Sequence, residues 1–99
     1  MLFVLSTSDE ISLELARRLR EHRLVQNMTH KELAERAGLS KGMVAAFEKT
    51  GKASLGNFIK LVMTLGLVAE FNELLVYKVT TIKQMEALSQ KRQRARGKR

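Results

Sequence analysis

Apolar residues recur at helical spacing through most of this chain, and nearly every recurrence is introduced by a hydroxyl side chain. Thr7, Ser8, Asp9 and Glu10 precede the first run, Ile11, Leu15, Ala16, Leu19 and Leu24, and place acidic groups where the positive end of a helix favours them. Asn27 tolerates a left-handed backbone, so this helix should end near Gln26, with Met28 resuming the core. Thr29 stands three residues before Glu32, the spacing of a capping box, and Leu33, Ala34 and Ala37 form a small apolar stripe behind it. Gly38 sits where that helix must stop, and Ser40 caps the next. There Val44 and Phe47 make the inward face, leaving Lys41, Gly42, Met43, Ala45 and Ala46 pointing elsewhere. After a loop of Lys49, Thr50, Gly51, Lys52 and Ala53, Ser54 caps a helix carrying Leu55, Phe58, Ile59, Val62 and Leu65, which Gly66 stops. Val68, Phe71, Leu74 and Leu75 form a fifth short amphipathic stretch. With no proline in the sequence, the pattern predicts an all-α, five-helix body.

Two segments fit that pattern less well. LFVL near the start and VYKVTTI over Val76 to Ile82 are rich in β-branched or aromatic residues and read as short strands. A lone strand is unstable in water, so strands here would pair with each other or with a second copy of the chain. In the alternative reading LFVL is a frayed terminus and Val76 to Leu88 is another helix, with Ile82, Met85 and Leu88 on its apolar side.

Ninety-nine residues suit one hydrophobic core and not two. The expected organisation is an N-terminal extension over residues 1–10, the helical domain over 11–76, a dimerisation or C-terminal extension over 77–88, and a basic tail over 89–99 that is disordered without a partner. There is no cysteine, which excludes disulfides and thiolate metal sites, and His22 and His30 have no cluster of ligands around them. No metal or cofactor is expected. No apolar run approaches the roughly 20 residues of a membrane span, so the expected location is the cytoplasm, without membrane association. The net charge is +8, but six of the eighteen basic residues are Lys91, Arg92, Arg94, Arg96, Lys98 and Arg99; the remaining twelve against ten acidic residues leave the body at +2. Attraction to a polyanion is thus concentrated in the tail, and the body must act through a few well-placed groups.

Met28 to Glu48, MTHKELAERAGLSKGMVAAFE, carries the most information. Two short capped helices joined by a tight turn form the unit that sets a helix into the major groove of DNA, although two such helices also occur in ordinary bundles. Together with LARRLREHR before it and SLGNFIKLVMTLGL after it, this stretch resembles the Cro/cI-like (XRE-type) helix-turn-helix regulators over about Leu13 to Leu75. More narrowly, SLGNFIKLVMTLGLVAEFNELL followed by the KRQRARGKR tail resembles the small HipB-like antitoxins, which repress their own operon beside a HipA-type kinase toxin.

The resemblance implies roles for particular residues. Arg23 would pair with Glu48, locking the first helix onto the third; as bare charges the two would otherwise be solvated surface groups. Ser40, Lys41, Gly42 and Met43, with Ala46 one turn on, would face base edges, Lys41 donating to guanine and Met43 and Ala46 touching thymine methyls. Thr29 and His30 would grip phosphate at the start of the second helix, and Lys49 and Lys52 would contact the backbone after the third. Lys91, Arg92, Arg94 and Arg96 would add tail contacts to nucleic acid. Two departures from the family pattern are Thr50, where glycine is usual and Gly51 follows, and Gly56, where an acidic residue is common.

One recognition helix reads too few base pairs for genomic specificity, so a homodimer on a palindromic operator in double-stranded DNA is expected, held near the cytoplasmic nucleoid by that binding. Val76, Tyr77, Val79 and Ile82 are candidates for burial between copies. The expected function is a DNA-binding repressor acting as the antitoxin of a HipBA-like operon, with a HipA-type kinase as protein partner. The competing reading is a protein-interaction module that mainly binds and neutralises a toxin. No enzyme is expected, because neither a nucleophile with its base nor a phosphate-cradling glycine loop is present. RNA is disfavoured, because Phe47, Phe58 and Phe71 belong to core faces and leave no stacking platform.

Overall fold

Side-chain oxygens begin the first four α-helices. Thr7 and Glu10 form a reciprocal capping box ahead of α1 (Ser8–Val25), and Thr29 and Glu32 form another ahead of α2 (His30–Ala37). Ser40 accepts from the Met43 N–H to start α3 (Lys41–Thr50), and Ser54 accepts from the Asn57 N–H to start α4 (Leu55–Thr64). Each cap satisfies a backbone donor that the helix itself cannot reach. The computed structural model describes the backbone of residues 1–79 and 81–97 and side chains as far as Lys91. Its other elements are 3-10 helices at Phe3–Leu5 and Val68–Glu73 and a last α-helix, α5 (Ile82–Gly97).

Helix α3 packs against both α1 and α2, and α2 also packs on α4. Between them lies one core of Ala16, Leu19, Met28, Leu33, Ala34, Val44, Phe47, Leu61, Val62 and Leu65. Phe58 tilts against Phe47 at 5.9 Å and against Phe71 at 6.2 Å between ring centres, which ties the second 3-10 helix to α4 and the core.

The chain reverses at residues with positive φ: Asn27 at 57°, Gly38 at 72°, Gly51 at 76° and Gly66 at 76°. Asn27 ends α1 as the pattern requires. Gly51 carries a second constraint, because a Cβ there would lie 2.7 Å from the backbone N of Leu13 and C of Ser12. The family's usual glycine position, occupied by Thr50, is the last residue of α3, and the left-handed turn falls one residue later at Gly51.

Three expectations are corrected. Neither LFVL nor the described part of VYKVTTI forms a strand: the first is a 3-10 turn, the second is irregular until α5 begins, and no strand occurs among the described residues. The two segments do not pair, so neither has the neighbour that a ladder needs. The fifth amphipathic stretch is a six-residue 3-10 helix that ends before Leu74 and Leu75, which are 58% and 92% exposed. In α1 the core-facing series is Ala16, Leu19 and Arg23, while Leu24 is exposed. Helix α5 runs as far as Gly97, and Lys98 and Arg99 lie outside the described residues. From Asn72 to Lys91 every described residue is exposed except Leu88, which is half-buried.

Gly51 and Gly38 separate steric from conformational cost. Gly38→Ala meets no atom within 4 Å and should lose about 1 kcal/mol for the left-handed backbone alone. Gly51→Ala adds the clash with α1 and should lose about 3 kcal/mol or more. Urea unfolding of both variants measures the difference, and equal losses would show that α1 yields at Leu13.

Candidate nucleic-acid interface

The turn between α2 and α3 is held from both sides. Gly38 ends α2 in the left-handed conformation, and the Leu39 N–H donates to the Ala34 carbonyl at 2.9 Å. Leu39 is half-buried against the core, and Ser40 opens α3 directly after it. With Val44 and Phe47 buried, helical periodicity puts Gly42, Ala46 and Lys49 on the opposite side of α3, where all three are exposed, with exposed Lys41 at the edge of the same turn. The structure thus brings Ser40, Lys41, Gly42, Ala46 and Lys49 onto one open end and face. Met43 differs: it is half-buried and packs on the core, so its side chain is shared between core and surface.

Gly42 has an ordinary helical φ, and nothing lies within 4 Å of the Cβ it lacks. The fold therefore gains nothing from glycine at this position, and glycine costs a helix about 1 kcal/mol relative to alanine. The face of α3 is left low, with the helix backbone close to the surface. Beyond it, the Thr50 hydroxyl donates to the Ala46 carbonyl at 2.7 Å and accepts from the Lys52 N–H at 3.2 Å. That pair of bonds orders the exit loop and fixes where exposed Lys52 leaves the helix.

Arg23 and Glu48 meet as a fork on a carboxylate. Arg23 Nε lies 2.7 Å from Glu48 Oε2 and Nη2 lies 2.9 Å from Oε1, with the two side chains 7% and 6% exposed. The third guanidinium arm, Nη1, donates to the Met28 carbonyl at 2.8 Å, so every arm of the buried cation has a partner. Two further side chains reach the same carboxylate: His30 Nε2 at 3.0 Å from Oε1, and Arg20 Nε at 3.9 Å. Burial pushes the Glu48 carboxyl up, but the hydrogen bonds and charges of Arg23 and His30 outweigh it and hold the group below its ordinary value of 4.5.

Sequence reasoning placed His30 only at a phosphate contact and missed its bond to Glu48. The signal was available, since His30 directly follows the cap of α2 and Glu48 lies in the last turn of α3, the two ends that the tight turn folds side by side. Thr29 remains exposed at the start of α2, with its hydroxyl engaged by the Glu32 N–H at 3.1 Å. Lys91 is exposed on α5; the side chains of Arg92, Arg94 and Arg96 lie outside the described residues. Among the described residues no group of three acidic, histidine or cysteine side chains is placed to hold a metal, and no helix is long and apolar enough to cross a membrane.

A capped helix, a tight glycine turn and a second capped helix with its outer face open define the class of DNA-binding helix-turn-helix regulators. The helix-turn-helix family model matches residues 17–70, more than half of the chain, and the protein belongs to that family, with the arrangement of its Cro/cI-like (XRE-type) members. No curated protein matches the chain.

Glu48→Gln would leave the Arg23 guanidinium buried without a counter-charge and should cost about 3 kcal/mol at neutral pH. Because the folded carboxyl titrates below its unfolded value, its contribution is complete above about pH 5 and is lost as pH falls through the lowered folded value. Urea midpoints measured from pH 7 down to 3 should therefore fall less steeply in Glu48→Gln than in the parent protein. Parallel slopes would show that other groups dominate the acid response.

Proposed function

We propose that this DNA-binding regulator is a repressor that reads a palindromic operator as a homodimer and, as an antitoxin, controls the operon encoding it together with a HipA-type kinase toxin. The observation that carries the DNA reading is the outer face of α3, where Ser40, Lys41, Gly42, Ala46 and Lys49 are exposed beside a rigid turn. On this reading α3 enters the major groove, Lys41 donates to a guanine edge, and Ala46, with the accessible part of Met43, meets thymine methyls. Thr29 and His30 on one side and Lys49 and Lys52 on the other hold backbone phosphates and set the register. Lys91, Arg92, Arg94 and Arg96 supply sequence-independent attraction along flanking DNA.

The protein partners are argued from apolar surface. Leu74, Leu75, Val76, Tyr77, Ile82 and Met85 are each more than half exposed, a density unusual for an isolated soluble chain. A second copy and the kinase are the two partners proposed for this run and for α5. The narrower antitoxin assignment is supported by the resemblance of SLGNFIKLVMTLGLVAEFNELL and the basic tail to HipB-like proteins.

Binding to the DNA upstream of the gene, compared with a scrambled duplex of equal length at about 150 mM salt, tests the repressor reading. The expected preference is about a thousandfold or more. Lys41→Ala with Ala46→Glu, both at exposed positions, should abolish that preference without lowering the melting temperature. Equal, salt-sensitive binding to both duplexes would overturn operator recognition and leave the protein-interaction role of the chain.

A further inference from the structure

His30 opens α2 with a ring whose hydrogen positions the fold dictates. Its Nε2 lies 3.0 Å from Glu48 Oε1, and that carboxylate is held ionised by the two-point fork of Arg23. An ionised carboxylate has no hydrogen to give, so Nε2 must be the donor whether the ring is neutral or charged. The tautomer is thereby settled: in the neutral ring Nδ1 is a bare acceptor, and only in the cationic ring does it carry a hydrogen. Among the described residues Nδ1 has no hydrogen-bond partner, and it is not among the buried atoms of the chain. The side chain as a whole is 32% exposed.

Among the described residues no other group engages Nδ1. From α3 the ring faces Glu48; from α1, Arg20 and Arg23 reach the same carboxylate. Within α2, Lys31 is exposed and Glu32 is committed to the Thr29 cap. Helix α4 has one charged residue, Lys60, which makes no ion pair with the ring.

A phosphate group of the DNA backbone offers only acceptor oxygens. Set against a neutral His30 it would meet a second acceptor; set against the cation it would receive a charge-assisted hydrogen bond. We infer that docking on DNA takes up a proton at His30, the cationic ring donating through Nε2 to Glu48 and through Nδ1 to a backbone phosphate. The proton comes from solution and returns to it on release. This rests on the DNA-docking reading above and adds to it a dependence on pH. Because a proton is taken up on docking, affinity falls as pH rises. The limit is about tenfold per pH unit for each ring engaged, and about a hundredfold if two copies bind together.

The test uses the full chain and a labelled duplex from upstream of the gene, titrated by fluorescence anisotropy between pH 5.5 and 8.0 at constant ionic strength, with circular dichroism at each pH. Glu48 stays ionised across this window, as its lowered titration requires. The parent protein should lose affinity by about tenfold or more from pH 6 to pH 8. His30→Gln keeps an amide donor for Glu48 and should fold equally well, but its profile should be flat. His22→Gln, which alters the other imidazole, should keep the parent slope. Calorimetry in two buffers of different ionisation heat should count a proton taken up by the parent and none by His30→Gln. A flat parent profile, or a slope retained in His30→Gln, would overturn the proton linkage while leaving DNA docking intact. Absence of binding at every pH would overturn both.

Discussion

The Glu48 carboxylate is where three helices are fastened to one another, and the exposed face of α3 keeps its orientation only while that carboxylate is fully partnered. Arg23 reaches it from α1 and His30 from α2, while Glu48 itself belongs to the last turn of α3. A buried ion pair of this kind adds little net stability over a well-packed apolar substitute, because desolvation of the two charges offsets most of their attraction. What it adds is geometric. Apolar contacts among Leu19, Leu33, Val44 and Phe47 would tolerate a small slide or rotation of α3 against α1, whereas a two-point fork between planar groups would not. The Met28 carbonyl, taken by the third arm of Arg23, extends the same constraint to the link between α1 and α2. Close contact of Gly51 with the backbone of Ser12 and Leu13 adds a second hold on the same C-terminal end of α3. Held against α1 at its C-terminal end and joined to α2 by the tight turn at its N-terminal end, α3 presents Gly42, Ala46 and Lys49 outward as a rigid surface.

How much of this was legible in the sequence depends on the range of the interaction concerned. Helix starts at Thr7, Thr29, Ser40 and Ser54 were readable because a cap and its partner lie within three residues, and so were the stops at Asn27, Gly38 and Gly66. The register of α1 was not. Leu24 has the hydropathy of a core residue and Arg23 does not, yet Arg23 is 6% exposed and Leu24 is 47% exposed. Periodicity weighs each side chain alone, and what inverts the order is a carboxylate twenty-five residues away. The family resemblance supplied that partner where hydropathy could not. Val76 to Ile82 failed differently. Its β-branched residues state what the segment would do beside another strand, and among the described residues no such strand is present.

The molecule is accordingly uneven. Residues from α1 through α4 share one core and a full set of caps, and the ion network at Glu48 joins the first three of these helices. From Asn72 to Lys91 every described residue but Leu88 is exposed, and Leu75 holds a positive φ of 58° without the excuse of being glycine. Such a conformation costs about 1–2 kcal/mol, and Leu75, 92% exposed, gains no burial that would repay it. The extent of the α-carbon trace, 49 Å along its longest axis, reflects the same division. Stability resides in the half that presents α3, and the apolar surface without partners resides in the other.

The composition of the α3 face bears on how DNA would be read by it. A recognition surface built from long polar side chains identifies bases by hydrogen-bond pattern, and each good two-point contact is worth about 1–3 kcal/mol of discrimination. Here the central positions are Gly42 and Ala46, and Lys41 is the single long donor in the first turn. A low surface exchanges that pattern reading for proximity, letting the helix backbone approach the groove floor in a way that a larger residue at 42 would prevent. Proximity rewards a groove of the right width and curvature, so the sequence preference of such a helix should be carried as much by base steps that adopt that shape as by bases that Lys41 touches. The rigidity imposed at Glu48 and Gly51 is then a condition of specificity, since only a helix that cannot shift to suit its site can penalise the wrong groove.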